Sequence, residues 1–120
     1  MDRWTPRLTN IISDKVVGAA GSGGTDYLYS PPTPDNSITL ITLTSITIAG
    51  HDADYIDLGT TTDGSFNILE QQTSPTANLP YWSTSYIILK PRDRLTARIR
   101  GATVGDQITM TYQGITLYIT

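Results

Sequence analysis

Between Tyr86 and Tyr112 the chain spells out one complete antiparallel β unit. The apolar run Tyr86-Ile87-Ile88-Leu89 is followed by a turn, Lys90-Pro91-Arg92-Asp93-Arg94. Leu95, Ala97 and Ile99 then alternate with Thr96, Arg98 and Arg100. A second turn, Gly101 to Asp106, leads into Ile108, Met110 and Tyr112, which alternate with Thr109, Thr111 and Gln113. A period of two places one face of each strand on a core and the other in water. An all-β fold is therefore expected, and the unit carries the densest charge cluster of the chain.

The rest of the sequence reads the same way. Ser37 to Ile48 is the longest strand-like run, with threonine at 39, 42, 44 and 47. Its alternation slips between Leu40 and Ile41 and again between Leu43 and Ile46, as two β-bulges would produce. Thr62-Asp63-Gly64-Ser65 reads as a hairpin turn through its Asp-Gly pair, and Phe66 to Leu69 as the returning strand. Residues 70–80 read as a long loop, and Gly114 as a bulge or corner in the last strand. Three prolines between Ser30 and Asp35 mark a rigid exposed loop. Gly18 to Gly24 reads as a flexible linker, since no Lys-Ser/Thr ending makes it a phosphate loop. Seven or eight short strands separated by frequent turns predict an antiparallel β-sandwich of jelly-roll type. Pro6 removes a ladder donor, so residues 1–10 are expected to be extended and docked instead of paired in a sheet centre. Ile11, Ile12, Val16 and Val17 suit a short strand, and residues 1–17 together are expected to be an extended N-terminal arm ahead of a single sandwich domain, 18–120.

Composition narrows the function. A chain of 120 residues is one domain able to bury a core without staples. With no cysteine, disulfides and thiolate metal sites are excluded. No stretch approaches the roughly 20 apolar residues of a membrane helix. The start of the chain lacks the apolar run of a secretory signal. A net charge of −3 argues against nucleic acid, which needs a basic surface.

His51, Asp52, Asp54 and Asp57 form the nearest thing to a reactive cluster. A catalytic triad needs a serine or threonine beside the base, and none is marked out. Calcium needs six to eight oxygens, and no glutamate-terminated loop follows. The cluster reads as a solvated turn, and neither catalytic residue, metal nor cofactor is expected. Lys90, Arg92, Arg94, Arg98 and Arg100 lie on one hairpin and suit either a solvated strand face or a carboxylate-bearing protein surface. With no aromatic interleaved in that hairpin to stack bases, nucleic acid is again disfavoured. Tyr27, Tyr29, Tyr55, Tyr81, Trp82 and Tyr86 suit a core or a sugar platform, with Tyr81 and Trp82 after Pro80 the best-placed pair for a glycan.

Three stretches in order carry a resemblance. Gly18-Ala19-Ala20 precedes Thr25-Asp26-Tyr27-Leu28-Tyr29-Ser30-Pro31; the Ile/Thr run 38–48 follows. Ile87-Ile88-Leu89-Lys90-Pro91-Arg92-Asp93-Arg94-Leu95 comes before Ile108-Thr109-Met110-Thr111-Tyr112-Gln113-Gly114. This pattern resembles small β-sandwich structural proteins of tailed bacteriophages. It departs from them where Arg92 replaces a turn glycine and where Pro31 is followed by further proline. The resemblance implies no catalytic residue. It implies a virion protein made in the bacterial cytoplasm: a capsid cement or decoration protein bridging major capsid subunits, or a head–tail or tail accessory. On that reading Arg3, Trp4 and Arg7 of the arm, with Arg92, Arg94, Arg98 and Arg100, are the expected partner contacts. Closed symmetry makes a homo-oligomer, dimer or trimer, the default. A carbohydrate- or receptor-binding module using Tyr81 and Trp82 is the alternative.

Overall fold

Leu95, Ala97 and Ile99, with Ile108, Met110 and Tyr112, all turn to the interior, as their alternation requires. The computed structural model describes residues 6–119. They form nine strands: β1 (Pro6–Ala19), β2 (Thr25–Tyr29), β3 (Ser37–Ile48), β4 (Tyr55–Thr62), β5 (Ser65–Thr73), β6 (Tyr81–Ser83), β7 (Ile87–Leu89), β8 (Arg94–Arg100) and β9 (Gln107–Ile119). No helix occurs among the described residues, so none is long and apolar enough to cross a membrane.

All pairings are antiparallel. The first sheet runs β1-β9-β3-β6, with β7 also on β3; the second runs β2-β8-β4-β5. The pairs nest around one turn: β4 with β5, β3 with β6 and β7, β2 with β8, β1 with β9. The chain is thus one long hairpin, closed at Asp63-Gly64, and rolled so that β9 also meets β3 and β8 meets β4. That is the jelly roll, and it delivers the expected sandwich. Asp63 (φ 49°) and Gly64 (φ 83°) supply the two left-handed residues such a two-residue hairpin demands.

The core lies between the sheets and is mostly isoleucine and leucine: Ile41, Ile46, Ile56, Leu58, Leu95 and Ile99 are fully enclosed. At about 25 cal/mol per Å2 of apolar area, such burial is the main force available to a chain without cysteines. The proline-rich loop is pinned against the β7–β8 turn. Thr33 N–H donates to the Asp93 carbonyl at 2.9 Å and Arg92 N–H to the Thr33 carbonyl at 2.8 Å. The buried Asp93 carboxylate accepts from Lys90 N–H and the Thr62 hydroxyl.

Four expectations are corrected. From Pro6 onward the segment expected as an extended, docked arm with at most a short strand is one continuous edge strand, β1, paired with β9 down to Ala19; an edge is where proline is tolerated. Gly18 to Gly24 is no flexible linker. Gly18 and Ala19 belong to β1, and the turn is tied by Ala20 N–H to the Asp106 carbonyl, Gly105 N–H to the Ala20 carbonyl and Gly101 N–H to the Gly24 carbonyl. The loop expected from residue 70 begins after Thr73, because β5 continues that far. Finally, β3 slips once, between Ile41 and Leu43. Ser37, Thr39 and Ile41 face the core before that bulge and Thr44, Ile46 and Ile48 after it, leaving Ile38, Leu40 and Leu43 on the outside.

Candidate interaction face

The outer face of the second sheet gathers side chains that are far apart in sequence. Register places Thr25, Arg100, Tyr55 and Thr73 in one row across β2, β8, β4 and β5, and Tyr27, Arg98, Asp57 and Gln71 in the next. Tyr29, Thr96 and Gly59 follow, with Arg94 and Phe66 both opposite Thr61. Gly59 lies opposite a register shift in β5, and a side chain there would collide with the Asn67 carbonyl.

Two guanidinium groups, of Arg98 and Arg100, meet one carboxylate at the centre. Asp57 is 0% exposed although it points to the outer side of its strand. Its Oδ2 accepts from Arg98 Nε at 2.8 Å, with Arg98 Nη2 also at 2.8 Å. Gln71 Nε2 donates to Oδ1 at 2.7 Å. Arg100 Nε lies 3.1 Å from Oδ2 without hydrogen-bond alignment, so its contribution is coulombic. Burial alone would push the Asp57 carboxyl up; the Gln71 and Arg98 hydrogen bonds and both positive charges outweigh it and hold it below the usual carboxylate range. In turn Arg98 is held more firmly protonated, chiefly by its hydrogen bond to Asp57.

Aromatic rings wall this cluster. Tyr27 and Tyr29 stack at 5.8 Å with planes 4° apart, and Phe66 meets Tyr27 edge-on at 5.9 Å. Arg100 sits 4.3 Å from the Tyr55 ring centre, Arg98 5.2 Å from Phe66 and Arg94 5.9 Å from Tyr29. These are cation–π distances. The premise that no aromatic interleaves the arginines is therefore corrected: β2, β4 and β5 supply rings that the β8 sequence lacks. Tyr27 and Tyr29 remain 41% exposed.

The other expected site residues are dispersed. Arg3 and Trp4 lie outside the described residues, as does the side chain of Arg7, whose backbone sits at the register irregularity that opens β1. Arg92 is exposed on the β7–β8 turn with φ 70°, the left-handed position where a glycine would be unstrained. Tyr81 and Trp82 point to opposite sides of β6, so their rings do not form one platform. Tyr81 turns inward and donates to Glu70 Oε1 at 2.6 Å, while Ser83 Oγ donates to Oε2 at 2.6 Å. Burial would raise the Glu70 carboxyl, but the hydroxyls of Ser83, Ser85 and Tyr81 keep it below its usual value. Burial and that carboxylate push the Tyr81 phenol up to about 12. Trp82 is 57% exposed beside a shallow cavity of about 240 Å3 that also touches Leu79 and Pro80.

The acidic turn disperses as well. His51 Nδ1 lies 3.1 Å from Asp106 Oδ2, an exposed pair whose carboxylate also accepts His51 N–H. Asp52 accepts from Ala77 N–H, and Asp57 is enclosed beneath the arginines. Among the described residues no three such side chains converge as metal ligands would. A second cavity, about 220 Å3, opens where the Pro31-Pro32 loop covers the inner face of β1 and β9 beside Ile12, Tyr112 and Tyr118. Burial, with Asp14 nearby, pushes the Tyr112 phenol up.

Taken together, these features make the second sheet's outer face a rigid platform of tyrosine, phenylalanine and arginine. No family model matches the chain, and no curated protein or solved structure is similar to it at a significant level.

Proposed function

We propose that this protein is a non-catalytic structural protein of a tailed-bacteriophage virion, a capsid cement that docks on major capsid subunits through the outer face of its second sheet. The particular assignment follows the resemblance of the Ile87–Leu95 and Ile108–Gly114 stretches. Jelly rolls serve both viral capsids and lectins, so the fold does not choose between them. One observation carries the docking reading: Tyr27, Tyr29, Tyr55, Phe66, Arg94, Arg98 and Arg100 share one rigid sheet face. Tyrosine and arginine dominate protein-binding hot spots, because each combines large contact area with directional polar groups. The buried Asp57 orients two of the guanidinium groups before a partner arrives, which lowers the ordering cost of binding.

The test is co-sedimentation of the purified protein with capsids lacking it, over a salt series. Saturable binding that weakens with salt is expected, from charge steering at the rim of the face. Absence of binding to capsids, or tighter binding to single-stranded oligonucleotides, overturns the proposal. Trp82 beside its cavity favours a second reading, a glycan-binding module. That reading expects a tryptophan fluorescence change on glycan titration, lost in Trp82→Ala; a flat titration across a broad panel removes it.

A further inference from the structure

The first sheet presents an outer face of different chemistry. Ile11, Ile115, Leu40 and Ile88 are register partners on β1, β9, β3 and β7, and so form one row across the sheet. Ile11 is 86% exposed and Ile88 62% exposed. Ile38 and Leu117 pair in the adjoining row, and Leu43 follows beyond the bulge. Scattered exposed apolar residues need no explanation, but a contiguous apolar patch on a sheet face does.

We propose that this face seats a second copy of the chain, giving a two-fold dimer in which the first sheets pack face to face. Three features select a copy over a different partner. Among the described strand side chains of the face there is no acid, and Lys15 is its one base, so an oppositely charged partner gains nothing there. A copy, in turn, meets little repulsion. With the two-fold through the Ile115–Leu40 row, each Lys15 lies four residues from the axis. At about 3.3 Å per residue the two are roughly 26 Å apart, beyond the Debye length of about 8–10 Å. The size also fits. Three strands of 14, 13 and 12 residues and two of three residues, spaced about 4.8 Å apart with a rise of about 3.3 Å per residue, present roughly 700 Å2 before side-chain relief is counted. A standard interface uses about 800 Å2 per partner. Two twisted sheets pack this way at about −30° with isoleucine and leucine interleaved. The dimer would leave both tyrosine–arginine faces outward, but it rests on the first sheet alone and holds whatever the second sheet binds.

The experiment is sedimentation equilibrium of the full chain alone, with Ile11→Lys and Ile88→Lys as test variants. Both side chains are largely in water in the single chain, so the variants are expected to keep the wild-type far-ultraviolet spectrum and thermal midpoint. Val104→Lys, at an exposed loop position away from this face, is the control. A wild-type dimer whose dissociation constant rises at least about tenfold in each isoleucine variant, and not in the control, is the expected result. A wild-type monomer overturns the proposal. So does a dimer indifferent to both substitutions. If the chain is monomeric and a photo-crosslinker at Ile88 captures a capsid subunit, the face belongs to that subunit and the proposal is overturned, while the capsid reading stands.

Discussion

Asp57 shows how one side chain can order a surface. Its carboxylate is enclosed by groups that favour the charged form, so its folded pKa lies below the unfolded one. A depressed carboxyl contributes stability above its unfolded pKa, near 4, and loses it as pH falls through the lower folded value. Glu70 acts in the same sense. Stability should therefore be flat near neutrality and fall below about pH 4. Asp57→Asn should cost about 3–4 kcal/mol at pH 7, the lower part of the range for breaking a buried pair because both arginines still reach water. It should also reduce the acid-side slope; urea unfolding at pH 7 and pH 3 measures both. Arg92 offers the opposite case. A side chain at φ 70° carries a strain of about 1–2 kcal/mol, partly offset in a glycine by extra chain entropy. Arg92→Gly should therefore stabilise the fold by about 0.5–1 kcal/mol. A lower melting temperature would show that the arginine side chain holds the turn.

Among the elements, β3 and β9 decide the shape of the sandwich. Gly114 faces the single bulge of β3, and a methyl group there would run into the Leu40 carbonyl. Backbone cannot move aside as a side chain can, so Gly114→Ala should cost about 3 kcal/mol, at the top of the overpacking range; chemical denaturation checks it. β8 and the first half of β9 are legible because their apolar residues keep a single phase as far as Tyr112, after which Ile115 and Leu117 turn outward; the hairpin is legible because Asp63-Gly64 has few other conformations open to it. The phase of β3 was not legible. Ile38, Leu40 and Leu43 are apolar on the solvent side, and a reading that sends every apolar residue inward needs two slips where the strand has one. The β1 sequence suits an arm for a related reason: Pro6 excludes a sheet centre, but an edge tolerates it, and only the pairing with β9 distinguishes the two. The tyrosine–arginine face was hidden because its rings come from β2, β4 and β5, up to about seventy residues from the arginines they meet. Residue spacing within β8 carries no trace of them.

At the scale of the molecule, rolling one long hairpin gives the sandwich two outer faces of unlike character. One is apolar and nearly uncharged, suited to a copy of itself; the other pairs guanidinium groups with exposed rings, suited to a different protein. On the proposed cement role, a dimer with two outward docking faces would gain avidity without any new kind of contact. If the second face does the docking, Tyr29 and Arg94 contribute to it without disturbing Asp57. The measurement is the affinity of the Tyr29→Ala, Arg94→Ala double variant for capsids lacking the protein, beside its urea-unfolding midpoint. A loss of at least about thirtyfold, the size of one hot spot, is expected, with stability within about 1 kcal/mol of wild type. A folded double variant that binds capsids as tightly as wild type would contradict docking through the second face.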